Sequence, residues 1–219
     1  MPKISLYDFY NKIIEPDEFI IQASNTSGDD KNNSNNYSIG LSFNILSLTH
    51  KEKLYMQIGK HENLVFSSFS INTDNIRRGT EKINRKIIHN NLLKNGILNY
   101  KLDYQRFIFC LTKYKFVISP EGNGSDCHRH YEALLCGCIP IVEYNEKIVK
   151  KYEGLPILYT KDYSELTPGY LNMVYRRMIF QKYNFSKLML SYFSENDREE
   201  IKEKGNFWCQ ELFGKKAYN

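Results

Sequence analysis

Tryptophan is nearly absent from this chain, with one in 219 residues, and long apolar runs are missing altogether. No window holds the roughly 20 apolar residues that a membrane-spanning helix needs. The N-terminal stretch MPKISLYDFYNKIIEPDEF is amphipathic and carries acids, and it lacks the apolar core of a signal peptide. Dense basic clusters are missing too. Lys and Arg number 30 against 25 acids, for a net charge of +5, so nucleic acid is not the expected partner and ordinary surface charge accounts for the balance. The five cysteines are odd in number, and Cys110, Cys136 and Cys138 lie in apolar context. They read as small hydrophobes in a reducing, cytoplasmic setting rather than as a disulfide framework. No internal repeat occurs.

What is present is a chain able to bury a core, since 42% of its residues are hydrophobic. It is also rich in Lys, Asn, Ile and Tyr, a bias that codon usage in an AT-rich genome suffices to explain. Residues 27–38, SGDDKNNSNNYS, are polar and turn-rich and read as an exposed loop between the strand-like EFIIQAS and the weakly apolar YSIGLSF. From Leu64 the pattern becomes regular. LVFSSFSI reads as a strand ending in serines. TDNIRRGTEKINRKIIHNNLLKNG reads as one helix, capped by Thr73 or Asp74, with a stripe of Ile76, Ile83, Ile87 and Ile88, and ended by Gly96. A second helix over YKLDYQRFIFCLTKY leads to the strand KFVIS. HRHYEALLCG is a helix with Gly137 past its end, and IPIVE and LPILYT are further strands. A turn and helix follow, and then a mostly helical tail. Strands alternating with helices of this length predict an α/β fold: a Rossmann-type parallel sheet covered on both faces, spanning residues 61–219, with a reduced N-terminal part at 1–60. The C-terminal helices are expected to pack back on that part.

In such a sheet, ligands bind beyond the carboxyl ends of the strands. That rule nominates Ser67, Ser68 and Ser70, and the loop opening SPEGNGSDCHRHYEALLCGCIPIVEYN, residues 119–145. Several chemistries compete for this stretch. A Walker loop would need a lysine that is not there, and Gly122-Asn123-Gly124 lacks the third glycine of a dinucleotide fingerprint. Two glycines ahead of a helix N-terminus still suit an anionic ligand; the plainer reading is a tight turn with Asp126 as helix cap. Cys127, His128, His130, Cys136 and Cys138 are the right types for zinc, but helical His128 and His130 point about 200° apart and no second cluster completes the ligand set. Cys127 opens a helix, yet the only nearby arginine, Arg129, is too close in sequence for a phosphatase-like loop. The same helix puts Arg129, Glu132 and Cys136 within an arc of about 60°. A carboxylate suits a ribose diol, and an arginine beside a helix N-terminus suits a diphosphate. An intrahelical ion pair is the competing reading; the small-residue loop and the two flanking apolar strands favour a sugar nucleotide.

FVISPEGNGSDCHRHYEALLCGCIPIVE resembles the motif of exostosin-like and ribitol-xylosyltransferase-like glycosyltransferases, the chlorovirus xylosyltransferase type among them. The family block Ser-Pro-x-Gly-Asn-Gly-x-Asp-x-x-Arg-x-x-Glu-Ala-Leu-x-x-Gly-x-x-Pro-Ile-Val is matched at every fixed position, from Ser119 to Val142. Upstream, LVFSSFSINTDNIR resembles the family's first nucleotide-domain strand through Phe69, Ser70 and Arg77, with Ser68 where the family usually has Asn. Downstream, LPILYTKDYSELTPGYL resembles its Leu-Pro segment, so the likeness covers residues 64–175. The resemblance implies a GT-B arrangement and transfer of a sugar from a nucleoside-diphosphate donor, a UDP- or GDP-sugar, to a glycan or glycoside hydroxyl, with no metal or other cofactor required. It implies that Arg77 and the helix N-terminus at His128 hold the diphosphate, that Arg129 is a second cation, and that Glu132 binds the ribose. Ser70, Ser119, Gly122, Asn123, Gly124 and Asp126 would shape the donor pocket. The retaining pattern of two glutamates eight residues apart is missing, since eight back from Glu132 is Gly124 and Glu121 is eleven away; Asp126 or Glu121 is the expected donor-sugar contact. Asp29 and Asp30 are the candidate catalytic bases, with His61 in reserve. The short N-terminal part leaves a second reading open, a non-catalytic sugar-nucleotide or glycan-binding module, and a zinc or redox protein is a third. A monomer or homodimer is expected.

Overall fold

The computed structural model describes residues 3–10, 19–22, 37–48 and 61–219. In chain order, a short strand β1 (Ile4–Ser5) leads into α1 (Leu6–Tyr10). Then come β2 (Asn63–Ser67), α2 (Asn75–Arg78), α3 (Arg85–Lys94), α4 (Tyr104–Leu111) and β3 (Tyr114–Ile118). Next are α5 (His128–Leu135), β4 (Ile139–Glu143), α6 (Glu146–Lys151), β5 (Leu158–Thr160) and α7 (Pro168–Met178). The chain closes with β6 (Lys182–Tyr183) and α8 (Glu195–Phe213).

β2, β3, β4 and β5 form a four-stranded parallel sheet in that spatial order, with Val117 opposite Phe66 and Pro140, and Ile141 opposite Ile118 and Leu158. Every residue of β4 is buried, so both faces of the sheet are covered and the strand reads as a continuous apolar run rather than an alternation. The fold is α/β, consistent with a Rossmann-like arrangement. β1 and β6 pair separately and antiparallel.

The expected single helix over residues 73–96 is two. Gly79 and Thr80 are poor helix formers, and Asn84 offers a stronger start: its Oδ1 accepts from the N–H groups of Lys86 and Ile87, both at 3.1 Å. Asp74 stands at the N-cap of α2 without a side-chain cap bond there; its carboxylate holds Arg78 and the Arg85 N–H at the start of the next helix. The isoleucine stripe therefore fails, with Ile76 fully exposed and Ile88 buried. The restart places Arg85 at the mouth of α3. The end of α5 follows expectation. Gly137 takes a φ of 69°, and the Gly137 and Cys138 N–H groups donate to Leu134 and Ala133 carbonyls in a Schellman motif. Its start does not. Cys127 is the N-cap and makes no side-chain cap bond, while Asp126 turns to other partners.

The described N-terminal residues share one hydrophobic core with the sheet, through Leu6, Phe9, Phe19, Ile21, Leu41 and Ile45. The expected strand at Phe19 survives as two isolated bridges, Phe19 to Met189 and Ile21 to Leu41. At the other end of the chain, Tyr218 Oη accepts from the Ile21 N–H at 2.6 Å. Gly205 in α8 lies against this junction, where an added Cβ would stand 2.6 Å from the Ile21 oxygen and 2.8 Å from the Tyr218 ring. Helix propensity alone predicts that Gly205→Ala stabilises by about 1 kcal/mol. The close approach predicts a loss of about 1–3 kcal/mol instead. A chemical-denaturation midpoint decides the sign.

Candidate functional site

A cavity of about 440 Å³ opens beyond the carboxyl ends of β2 and β3, where the parallel sheet predicts a ligand. Two loops form it. After β2, Asn99 staples the chain: its Oδ1 accepts from Ser67 Oγ (2.9 Å) and the Phe69 N–H (3.0 Å), and its Nδ2 donates to the Phe69 carbonyl (2.9 Å). After β3, the Glu121 N–H donates to the Glu143 carboxylate at the end of β4. Arg85 ties the loops together, donating to the carbonyls of Ser70 (2.8 Å), Pro120 (2.9 Å) and Glu121 (2.8 Å). Its three partners are neutral, so the guanidinium has hydrogen bonds but no ion pair among the described residues.

Arg129 faces the same cavity from α5. It stacks over the Phe107 ring at 5.4 Å, and its Nε is buried with no hydrogen-bond partner among the described residues. Burial lowers its pKa, against the pull of Glu132. Burial also lowers Arg85, with the nearby Arg129 charge adding to the effect, to about 10. Two guanidinium groups thus share one wall and each disfavours the other's charge. Glu132, 4% exposed, lies on the same wall. Burial lifts its acid to about 7, although Arg129, Tyr104 and the Ser42 backbone pull it down. A partly buried cation with an orphaned donor favours an anion, and a carboxyl held up by burial is shifted toward its ionised form by any further hydrogen bond from a ligand hydroxyl.

Ser70, Gly122, Asn123, Gly124, Asp126, His128, Arg129 and Glu132 all line this cavity. Other expected residues are placed elsewhere. Arg77 donates to Glu121 (2.7 Å) and the Gly122 carbonyl (3.0 Å) and does not line the cavity. Glu121, which also pairs with Arg78, is absorbed in a buried network with Asp74 and Glu143. Ser119 is fully buried with its Oγ unpartnered among the described residues. Asp126 lines the wall, but its carboxylate accepts from the Ile39 N–H (3.0 Å), Lys151 (2.5 Å) and the Tyr152 hydroxyl. Burial pushes that acid up, and Lys151, Tyr152 and His130 together outweigh it. It bolts the N-terminal segment to α5 and α6. Asp29 and Asp30 lie outside the described residues. His61, the reserve base, sits with Nε2 3.0 Å from the Cys136 carbonyl, at the far end of α5.

The two histidines of α5 differ. His130 is buried, with Nε2 at the Ser119 carbonyl (3.1 Å) and Nδ1 at the Tyr152 hydroxyl (2.7 Å), and burial drops its pKa to about 4. His128 places Nδ1 2.8 Å from the Gly40 carbonyl. A carbonyl only accepts, so Nδ1 carries the proton and the neutral ring's lone pair sits on Nε2. Burial keeps this ring's pKa low. Cys127 is raised to about 11, chiefly by burial, and is a poor nucleophile. Among the described residues no three His, Cys, Asp or Glu side chains gather as a metal cluster, and no helix is long and apolar enough to cross a membrane.

Sequence reading missed Arg85, Thr73, Tyr104, Phe107 and the N-terminal contributors Ile39, Ser42 and Asn44. For Arg85 a signal existed, since Asn84 after Gly79 is a helix start with Arg85 as its first residue. Compared with known proteins, the chain matches no family model and no curated protein.

Proposed function

We propose that the cavity binds a nucleoside-diphosphate sugar and that the protein is a GT-B-like glycosyltransferase acting on a glycan or glycoside hydroxyl. The observation that carries this is the half-buried Arg129, its Nε buried and unsatisfied among the described residues, facing a cavity it shares with Arg85 and a carboxyl raised to about 7. In this reading the two guanidinium groups take the diphosphate, Arg85 standing where Arg77 was expected. Charge that develops on the leaving diphosphate would then meet preorganised donors. Glu132 accepts from the ribose diol. Leu102, Tyr104 and Phe107 give the nucleobase an apolar wall, and the volume suits a ligand of this size. For the acceptor proton, His128 lines the cavity and carries its lone pair on Nε2; Asp29 and Asp30 are the alternatives. Cytoplasmic placement belongs to the same reading.

A second reading, a donor-binding module without turnover, draws on the N-terminal wall. Its described contributors, Ile39, Ser42 and Asn44, include no side chain that takes a proton near neutral pH. A thermal-shift series with UDP, GDP, UMP, GMP and the corresponding UDP- and GDP-sugars tests both. A nucleoside diphosphate at a hundred times its Kd should stabilise the fold by about 2.7 kcal/mol, and a monophosphate by less at equal concentration. Absence of any shift with millimolar diphosphates sinks the site assignment. Binding without turnover across a broad acceptor panel selects the module.

A further inference from the structure

A second surface stands apart from the cavity. Residues 166–194 contain no aspartate or glutamate, yet carry Arg176, Arg177, Lys182 and Lys187. Along α7, about 100° per residue gathers Met173, Arg176, Arg177 and, just past the helix end, Phe180 onto an arc of about 100°. Leu171 and Met178 on the opposite side are buried. The arc is open to solvent. Phe180 is 76% exposed and Met173 44%, and Arg176, Arg177 and Lys182 are exposed. None of these three cations has an ion pair or side-chain hydrogen bond among the described residues. Scattered exposed apolar groups are ordinary. Here, however, they are interleaved with unpaired cations on a stretch from which every acid is missing.

We propose that this face docks on an anionic lipid-bilayer surface. The arginines and Lys182 would sit among headgroup phosphates, and Phe180 and Met173 would enter the headgroup–acyl boundary, as on an interfacial amphipathic helix. Charge complementarity selects a polyanion, and the geometry selects the bilayer over a nucleic acid. Single-strand binding needs successive aromatic rings along a groove, whereas this face offers one ring and one thioether on a convex helix. None of these residues lines the cavity, so the inference stands independently of the transferase reading.

The test uses the full chain in co-sedimentation with vesicles of phosphatidylcholine alone and of an equal mixture with phosphatidylglycerol. Binding should require the anionic lipid and fall with added salt. Each arginine contributes about fivefold to partition, so Arg176→Gln with Arg177→Gln should weaken it about 25-fold. Phe180→Ser should weaken it further, and neither variant should shift the melting temperature. Equal binding to both vesicle types, a double variant that binds like the parent, or a preference for single-stranded poly(U) over anionic vesicles overturns the proposal.

Discussion

An Arg129→Met variant should bind UDP or GDP about 100-fold more weakly than the parent chain while unfolding no more easily. The two halves of that expectation share one cause. In the free protein the side chain is half-buried, its Nε is buried and unpartnered among the described residues, and it stands near a second cation, Arg85. A buried charge short of partners is a liability to the folded state, and an apolar side chain of similar length removes it. Met keeps the contact with the Phe107 ring through its thioether. With the diphosphate bound, the same guanidinium would make charge-assisted hydrogen bonds, each worth about 1.5–3 kcal/mol. Glu132 complicates the comparison, because its acid loses a neighbouring cation. Stability is therefore compared at pH 5, where Glu132 is protonated, and affinity by calorimetry at pH 8. If Arg129 is merely a packing residue, the result inverts: stability falls and nucleotide affinity, measured on the folded fraction, holds.

The elements that the chain announced are those governed by local chemistry. Gly137 ends α5 because an αL residue was needed there, and the apolar IPIVE run became the buried β4 because parallel strands are covered on both faces. The helical period correctly put Arg129 and Glu132 on one wall. It could not show that the wall is buried, since burial depends on Ile39, Ser42 and Asn44 arriving from the N-terminal part. Asp126 shows the same limit. Locally it is a good helix cap, but the Ile39 N–H, Lys151 and Tyr152 compete for it from far along the chain and win. Arg77 and Arg85 are the closest case. Both lie near the end of β2, and which of them reaches the cavity turned on a helix break at Gly79 that the isoleucine spacing concealed.

Glu132→Gln should separate the two states of the site by pH. The folded-state pKa of Glu132 is raised to about 7 from an ordinary 4.5, chiefly by burial. Between those values the folded chain holds a proton that the unfolded chain has released, so stability falls as pH rises. The contribution is fully present below pH 4.5 and is lost as pH passes through about 7. The difference of about 2.5 pH units corresponds to about 3 kcal/mol. The amide of the variant cannot titrate, so the parent and the variant should have similar melting temperatures at pH 4.5, and the variant should be the more stable at pH 8. Nucleotide affinity should move the other way. At pH 8 the parent presents an ionised carboxylate that accepts from both ribose hydroxyls, and the amide replaces one acceptor with a donor, so UDP or GDP should bind the variant at least tenfold more weakly. Binding to the parent should also release a proton near pH 7, because ribose hydroxyls favour the ionised acid; calorimetry in buffers of different ionisation enthalpy reads that release directly. A variant that gains stability at pH 8 yet keeps its nucleotide affinity would leave Glu132 buried but remove it from the ribose.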